Sequence, residues 1–308
     1  MKTILITGGT GLVGKALTDL ILSKGYKVVI LTRSPQQQII TSPDISYAFW
    51  NVEKKIIDID AIQQADHIIH LAGAGVMDKK WTHSYKEEIV NSRVRSSELL
   101  VETLRNHPNK IKSIISSSAI GWYGPDIQND HSFKEDEPPA NDFLGETCKQ
   151  WEESISSAEM LGIKVCKLRT GIVLSNEGGA LPEFKKTLKW RVASILGSGH
   201  QIVSWIHITD LCQMFLYAIE NHELNGSYNA VSPHPINNKT LIYKLGHFLK
   251  NDKFIPIYVP SFLLKMMMGQ RSIEVLKSTR VDAEKIINSG FKFEFPNIDV
   301  ALQNLIAK

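Results

Sequence analysis

The stretch Ile6–Gly14, ITGGTGLVG, follows a short β-branched run, Thr3–Thr7, and opens a segment with helical apolar spacing at Leu12, Ala16, Leu20 and Ile21. Gly8, Gly11 and Gly14 therefore belong to a turn that joins a strand to a helix. In that setting each glycine has a physical reason. One permits the tight turn, one lets backbone approach a diphosphate, and one lets helix pack closely on strand. The first helical turn then aims unpaired N–H groups at the anion. The spacing is G-x-x-G-x-x-G rather than G-x-G-x-x-G, so the strand–turn–helix context carries the dinucleotide reading, not the glycines alone.

Outward from this turn the alternation continues. Val28–Leu31, Ile45–Trp50 and Ala65–Leu71 read as strands, and Trp81–Arg105 as a long helix. Ile111–Ser117 and Ile163–Leu168 are further strands, separated by a helix over Asp142–Leu161. Near-continuous apolar strands alternating with amphipathic helices predict an α/β fold with a parallel sheet covered on both faces. The rhythm changes after about Arg169. Gly178, Gly179, Gly197 and Gly199 mark loops, Ile208–Asn221 reads as helix and Ser227–Ala230 as a short strand. From Pro256 the chain reads as helical and methionine-rich, with Met266, Met267 and Met268 expected to fill the core of a smaller lobe. A last helix is expected over Ile298–Ala307.

Lys plus Arg exceed Asp plus Glu by 35 − 32 = 3, too small a surplus for a nucleic-acid surface, which shows as a concentrated basic stripe. The three cysteines, Cys148, Cys166 and Cys212, are scattered. They form neither a disulfide framework nor a CxxC pair, which fits a reduced, cytoplasmic setting without a metal site. No run of 18 apolar residues is present to span a membrane.

The end of the second strand decides the nucleotide. It reads Leu31-Thr32-Arg33-Ser34, with no carboxylate to take the ribose hydroxyls of NAD. Arg33 stands about where that acid would be, and a guanidinium suits a 2′-phosphate. NADP(H) is therefore the expected cofactor.

Several motifs now occur in order: TGGTGLVG, HLAG at His70–Gly73, SSSAIGWYG at Ser116–Gly124, LRTGIVL at Leu168–Leu174 and SWIHITD at Ser204–Asp210. Together they resemble the extended short-chain dehydrogenase/reductases, which include nucleotide-sugar epimerases and dehydratases. The sequence is most similar to the epimerase-family branch, through Trp81 before the long helix, GGAL at Gly178–Leu181, GSGHQ before SWIH, and the C-terminal VPSFLLKMMMG and GFKFEFP. The resemblance covers nearly the whole chain. It implies a Rossmann-type doubly wound sheet of about seven strands, formed by residues 1–174 with about 200–230. A small, mostly helical substrate lobe would come from about 175–199 with 231–308. It also implies that Thr10, Gly11, Leu12 and Val13 face the diphosphate, that Trp50 and Asn51 lie near adenine, and that Leu71, Ala72 and Gly73 run along the ribose.

Most members of that superfamily use Ser, Tyr and Lys: a serine to hold the substrate oxygen, a tyrosine to move the proton, and a lysine to lower the tyrosine pKa and bond the ribose. Ser118 and Lys149 match the first and last. Gly145 stands where the tyrosine would be, one helical turn before Lys149. Tyr123, in the turn after Ser118, and Glu146, beside the empty position, are the first stand-ins for the acid; Cys148 and His207 are further candidates. Each also has a plainer role. Tyr123 could pack beneath the cofactor, Glu146 could face the helix dipole, Cys148 could be an inert buried thiol and His207 could brace a loop. Arg93 could hold an anionic substrate or a salt bridge. Trp81, Trp122 and Trp205 could line a cleft or fill the core. The implied activity is NADP(H)-dependent hydride transfer on a polar small molecule such as a nucleotide sugar, with a non-catalytic NADPH sensor or scaffold as the alternative. A homodimer is left open, and no partner in a nucleic acid or membrane is expected.

Overall fold

Thr3–Thr7 (β1) is buried along its whole length, as a strand with helices on both faces must be. The computed structural model describes residues 1–126 and 131–306. After β1 come α1 (Leu12–Ser23), β2 (Lys27–Thr32), β3 (Ile45–Asn51), β4 (Ile56–Ile57), α2 (Ile59–Gln64), β5 (His67–His70) and α3 (His83–Asn106). β6 (Ser113–Ala119), α4 (Phe143–Ser156), β7 (Lys164–Thr170), β8 (Ile172–Leu174), α5 (Ala180–Leu188), β9 (Val192–Leu196), β10 (Ile202–Val203) and β11 (Trp205–His207) follow. The rest is α6 (Ile208–Glu220), β12 (Gly226–Ala230), β13 (Ile236–Asn237), α7 (Asn238–Lys250), β14 (Ile255–Val259), α8 (Ser261–Met268), α9 (Ser272–Leu276), α10 (Glu284–Asn288) and α11 (Ile298–Ile306).

The main sheet has the order β12-β7-β6-β5-β1-β2-β3-β4. Its pairs are parallel except the short edge pair β3–β4, so seven parallel strands form the expected doubly wound, Rossmann-type α/β sheet. The chain steps outward from β1 to β3, then crosses to β5 and steps the other way. The reversal leaves a crevice at the carboxyl ends of β1 and β5, where ligands of such sheets bind. One face of the sheet packs Leu17 and Ile21 of α1 against Met214 and Phe215 of α6. The other packs Ile62, Leu100, Leu104 and Ile155. A third cluster, with Leu181, Leu188, Ile195, Trp205, Leu241 and Leu302, is built from chain beyond β7.

The region from Pro256 departs from its sequence reading. Residues 255–259 are a strand, parallel to β9, and helix begins only at Ser261. Ile, Tyr and Val favour the strand, and an edge strand tolerates Pro256. Nor do the methionines fill the lobe core. Met266 and Met267 are exposed, because α8 turns only Leu264 fully inward. Residues 307 and 308, the end of the expected final helix and lobe, lie outside the described residues.

Candidate active site

At the carboxyl end of β1 the backbone takes Gly8 at φ +71° and folds back so that the Gly11 amide donates to the Gly8 carbonyl at 3.1 Å. A Cβ at Gly14 would lie 2.4 Å from the Gly8 carbonyl oxygen, and one at Gly8 2.9 Å from the Leu71 carbonyl carbon. Both positions therefore require glycine. α1 starts at Leu12 with Gly11 as N-cap. No side chain caps it and no acidic residue stands in its first turn. Thr10 and Gly11 are exposed, and Leu12 and Val13 half-buried, so this end of the helix faces the crevice with its amide dipoles available to an anion.

The opposite wall of the crevice is the ribbon Leu71–Gly73. The Thr7 hydroxyl oxygen accepts from the Leu71 and Ala72 amides, each at 3.2 Å, and meets His70 Nδ1 at 2.7 Å. With both amides donating to it, Thr7 gives its own proton to Nδ1. That leaves Nε2–H of His70 to donate to Ser97 Oγ at 3.1 Å. Burial pulls the His70 pKa down to about 3, which keeps the ring neutral for this relay. Gly73 is exposed, and a Cβ there would lie 3.1 Å from Arg93 Cζ. Arg93 Nη1 donates to the carbonyls of Ala74 (3.0 Å) and Ile89 (2.9 Å), and its guanidinium lies 4.9 Å from the Trp151 ring. Burial lowers the Arg93 pKa, and no carboxylate pairs with it among the described residues.

Arg33 follows β2 directly, at the same edge of the sheet as the glycine turn. It is exposed and makes no ion pair or hydrogen bond among the described residues. Trp50 is buried in the core, while Asn51 is half-buried and accepts from the Lys54 amide at 3.0 Å.

The far end of the crevice, at the end of β6, is built differently from the sequence expectation. Ser118 is buried, and its hydroxyl donates to Glu152 Oε1 at 2.6 Å. Glu152 forms a buried two-pronged pair with Arg169, Nε to Oε1 at 2.8 Å and Nη2 to Oε2 at 3.0 Å, and also accepts from Ser227 at 2.9 Å. Arg169 Nη1 donates to the Tyr123 hydroxyl at 3.0 Å, and Tyr123 donates to Asn229 Oδ1 at 2.6 Å. The Arg169 guanidinium stacks 3.7 Å from the Trp122 ring. Burial raises the Tyr123 pKa, so its proton is held more tightly than in water. Ser118 and Tyr123 thus meet in one buried network rather than at the open edge.

Gly145 lies in the first turn of α4, where its amide donates to the Asp142 cap at 2.8 Å. A Cβ at Gly145 would fall 2.1 Å from the Ala140 carbonyl oxygen and 2.8 Å from its carbon. The place of the tyrosine side chain is therefore occupied by backbone. That backbone is pinned in turn: the Ala140 amide donates to the Trp122 carbonyl at 2.7 Å. Lys149, one turn on, is half-buried and has no hydrogen bond or ion pair among the described residues. Glu146 is exposed and accepts from Gln150 at 3.1 Å, a helix-start carboxylate facing the dipole. Cys148 is sealed in with its Sγ 3.6 Å from the Ala119 carbonyl, and burial pushes its pKa up to about 12, so it is no nucleophile. His207 caps α6 through the Thr209 amide at 3.1 Å and lies 3.9 Å from the Phe295 ring. Of the tryptophans, Trp205 is core, Trp122 backs Arg169, and Trp81 is half-buried edge-on to Phe143 at 5.1 Å.

Glu152, Arg169 and Asn229 were not among the sequence candidates. A signal existed for Glu152: it shares the helical face of Leu144, Cys148, Trp151 and Ile155, which α4 buries. An acid on an apolar face needs a partner. Nothing local names Arg169 as that partner, because sheet topology brings the two together.

The model of the NAD dependent epimerase/dehydratase family matches residues 4–231, and a domain of unknown function, DUF1731, matches residues 259–305. An epimerase family protein of Staphylococcus saprophyticus is 36% identical over 309 residues, which is 99% of this chain and 100% of that protein. The solved structure of human epimerase family protein SDR39U1 (isoform 2) with NADPH superposes with a TM-score of 0.84 at 24% identity, covering 99% of each chain. A nucleoside-diphosphate sugar epimerase from Corynebacterium glutamicum superposes with a TM-score of 0.78 at 29% identity, covering 99% of this chain and 58% of that one.

Proposed function

We propose that this chain, which belongs to the NAD dependent epimerase/dehydratase family, binds NADP(H) and acts as an oxidoreductase or epimerase-like enzyme. It would move hydride to or from a carbonyl or alcohol carbon of a polar substrate such as a nucleotide sugar. One observation carries this reading. A single edge of the sheet gathers a turn that admits only glycine at positions 8 and 14, an uncapped helix start, and two cations, Arg33 and Lys149, that have no hydrogen bond or ion pair among the described residues. These residues fit a dinucleotide: Thr10–Val13 for the diphosphate, Leu71–Gly73 for the ribose, Arg33 for a 2′-phosphate, and Lys149 for the nicotinamide ribose. The human relative's structure holds NADPH, and the Corynebacterium protein is named a nucleoside-diphosphate sugar epimerase; both support the cofactor and substrate classes.

Bound NADPH would supply the hydride. Ser118 and Tyr123 act as positioning residues, stiffening the end of β6 through Glu152, Arg169 and Asn229. Glu146 stays with the helix dipole. The proton on the reacting oxygen comes from the Lys149 ammonium or from water at the open edge. We assign residues 1–174 with about 200–230 to nucleotide binding and the remaining chain to the lobe over the substrate. The buried, free thiols of Cys148, Cys166 and Cys212 fit a cytoplasmic setting. Among the described residues no helix is long and apolar enough to cross a membrane.

A second reading, an NADPH-binding sensor or scaffold, is favoured by the backbone that closes the tyrosine site at Gly145. Calorimetry with NADPH and NADH, followed by a carbonyl panel monitored through NADPH absorbance and by sugar-nucleotide product analysis, separates the two. Turnover or epimerisation supports the enzyme. Tight NADPH binding with neither supports the sensor, and no heat with either coenzyme overturns both.

A further inference from the structure

The lobe beyond β7 carries an apolar surface that no described residue covers. β14 pairs on one edge with β9, Ile255 opposite Val192 and Ile257 opposite Ser194, and no described strand lies on its other edge. Ile255, Pro256, Ile257 and Tyr258 are all exposed, Ile255 to 67%. Trp190, just ahead of β9, is 84% exposed and sits beside the start of β14, where the Ile255 amide donates to the Arg191 carbonyl at 2.8 Å. α8 follows directly. Phe262 and Met266, one turn apart on it, are 72% and 74% exposed, with Met267 exposed next to them. Ile255 and Ile257 share one face of β14, and with Trp190, Phe262 and Met266 they leave several large apolar side chains in water within one short region of the lobe, the kind of surface that marks an interaction site.

The rim of this surface is positive. Lys189, Arg191, Lys253 and Lys265 are exposed, and none pairs with a carboxylate among the described residues. The nearby acids are already used: Glu183 pairs with Lys186 at 2.7 Å and Asp252 with His247 at 2.7 Å.

We propose that this face docks on an anionic lipid surface. Trp190, Ile255, Ile257, Phe262 and Met266 enter the boundary between headgroups and acyl chains, and Lys189, Arg191, Lys253 and Lys265 meet the lipid phosphates. Exposed Trp with aliphatic neighbours and a ring of Lys and Arg is the composition that such an interface selects. A second copy fits worse. Pro256 has no N–H to give a new strand, and Lys253 flanks it, two devices that blunt an edge against pairing. The docking is peripheral, it departs from the sequence expectation of no membrane partner, and it does not depend on the cofactor reading.

The test is sedimentation of the purified full-length chain with vesicles of phosphatidylglycerol and phosphatidylcholine, and with phosphatidylcholine alone. Binding to the anionic vesicles should be at least tenfold tighter and should weaken steeply as salt is raised. Lys189→Gln with Lys253→Gln should weaken it about 25-fold, roughly fivefold per charge. Trp190→Ser with Phe262→Ser should cost tenfold or more. Thermal melts of both double variants should match the parent, since all four side chains are exposed. Equal affinity for the two vesicle types, or no sedimentation with either, overturns the proposal. So does a concentration-dependent dimer in analytical ultracentrifugation that Phe262→Ser abolishes, which would give the face to a second copy.

Discussion

Replacement of Gly145 tests whether the tyrosine site is empty or filled. On helix propensity alone, Gly145→Ala in α4 should stabilise the protein by about 1 kcal/mol. The geometry opposes this. The new methyl would start 2.1 Å from the Ala140 carbonyl oxygen and 3.0 Å from its nitrogen, where ordinary contacts begin at 3.4 Å or more. Relief requires Ala140 to retreat by about 1 Å. Its amide is bonded to the Trp122 carbonyl at 2.7 Å, and a Cβ at Gly124 would already lie 2.7 Å from the Ala140 Cβ, so that whole corner must shift. Overpacking of this kind costs about 1–3 kcal/mol, and loss of the hydrogen bond adds about 1 kcal/mol. Steric cost therefore wins over propensity, leaving a net loss of about 1–3 kcal/mol and a fall in Tm of about 2–6 °C. Urea and thermal unfolding of Gly145→Ala read this directly. Gly145→Tyr should lose more stability and gain no carbonyl reduction, because its Cβ already collides with the Ala140 backbone. A more stable Gly145→Ala, or a Gly145→Tyr that folds normally and gains turnover, would refute the reasoning.

Arg33→Asp should weaken NADPH binding tenfold or more and spare NADH, as read by calorimetry; equal loss for both would show that Arg33 faces no 2′-phosphate. Lys149→Ala should lower nucleotide affinity severalfold without changing Tm, since Lys149 has no hydrogen bond or ion pair to lose among the described residues; unchanged affinity would remove it from the ribose. Glu152→Ala should cost about 3–5 kcal/mol by leaving Arg169 buried without its carboxylate, and Glu152→Leu with Arg169→Met should recover much of that in urea titrations. Burial pulls His70 and His67 from 6.5 down to about 3 and about 4, so the unfolded chain takes up these protons first. Their contribution to stability is whole above about 6.5 and is lost as pH falls from there toward 3. Asp210, which burial raises from 3.8 to about 6, has the opposite sign: its contribution is whole below 3.8 and is lost as pH rises through 6. With His70, His67 and Asp66, whose pKa values are lowered, set against Asp210 and Glu135, whose values burial raises, urea midpoints should fall between about pH 7 and pH 4, and His70→Gln should flatten the slope; a flat parent profile would contradict the neutral, buried rings.

The parts of the fold that were legible in the sequence are those set by local spacing. The Gly8–Gly14 turn sits where its strand and helix neighbours put it, and the strands over Thr3–Thr7, Val28–Leu31 and Ile45–Trp50 fall within one or two residues of β1, β2 and β3. The strand at 255–259 was hidden because Ile-Pro-Ile-Tyr-Val precedes a methionine-rich run with stronger helical character. Only its pairing with β9, more than 50 residues away, draws it out as extended chain. The candidate site divides along the same line. The location of Arg33 at the end of β2 could be read by counting from the glycines, and that of Lys149 in α4 from the helix and the family resemblance; the roles proposed for both stand on that reading. The partners of Ser118 and Tyr123 could not be read in that way, because Glu152, Arg169 and Asn229 reach them across α4, β7 and β12.

That network also gives a physical account of how the chain lives without the tyrosine. A phenol at position 145 would need room that Ala140 occupies, while the two candidate hydroxyls at the end of β6, Ser118 and Tyr123, are drawn inward by a buried ion pair. Such a pair is tolerable only if its remaining donors and acceptors are satisfied. Here Ser118, Ser227 and Tyr123 do that, with the Glu135 carbonyl taking a further Arg169 N–H at 3.1 Å. Releasing Ser118 or Tyr123 to act on a substrate would leave a buried charge short of a partner, at a cost of about 1–3 kcal/mol for each bond. The network therefore holds these hydroxyls back from the cleft. Lys149 has no hydrogen bond or ion pair among the described residues, so a ligand could engage it without first breaking such bonds.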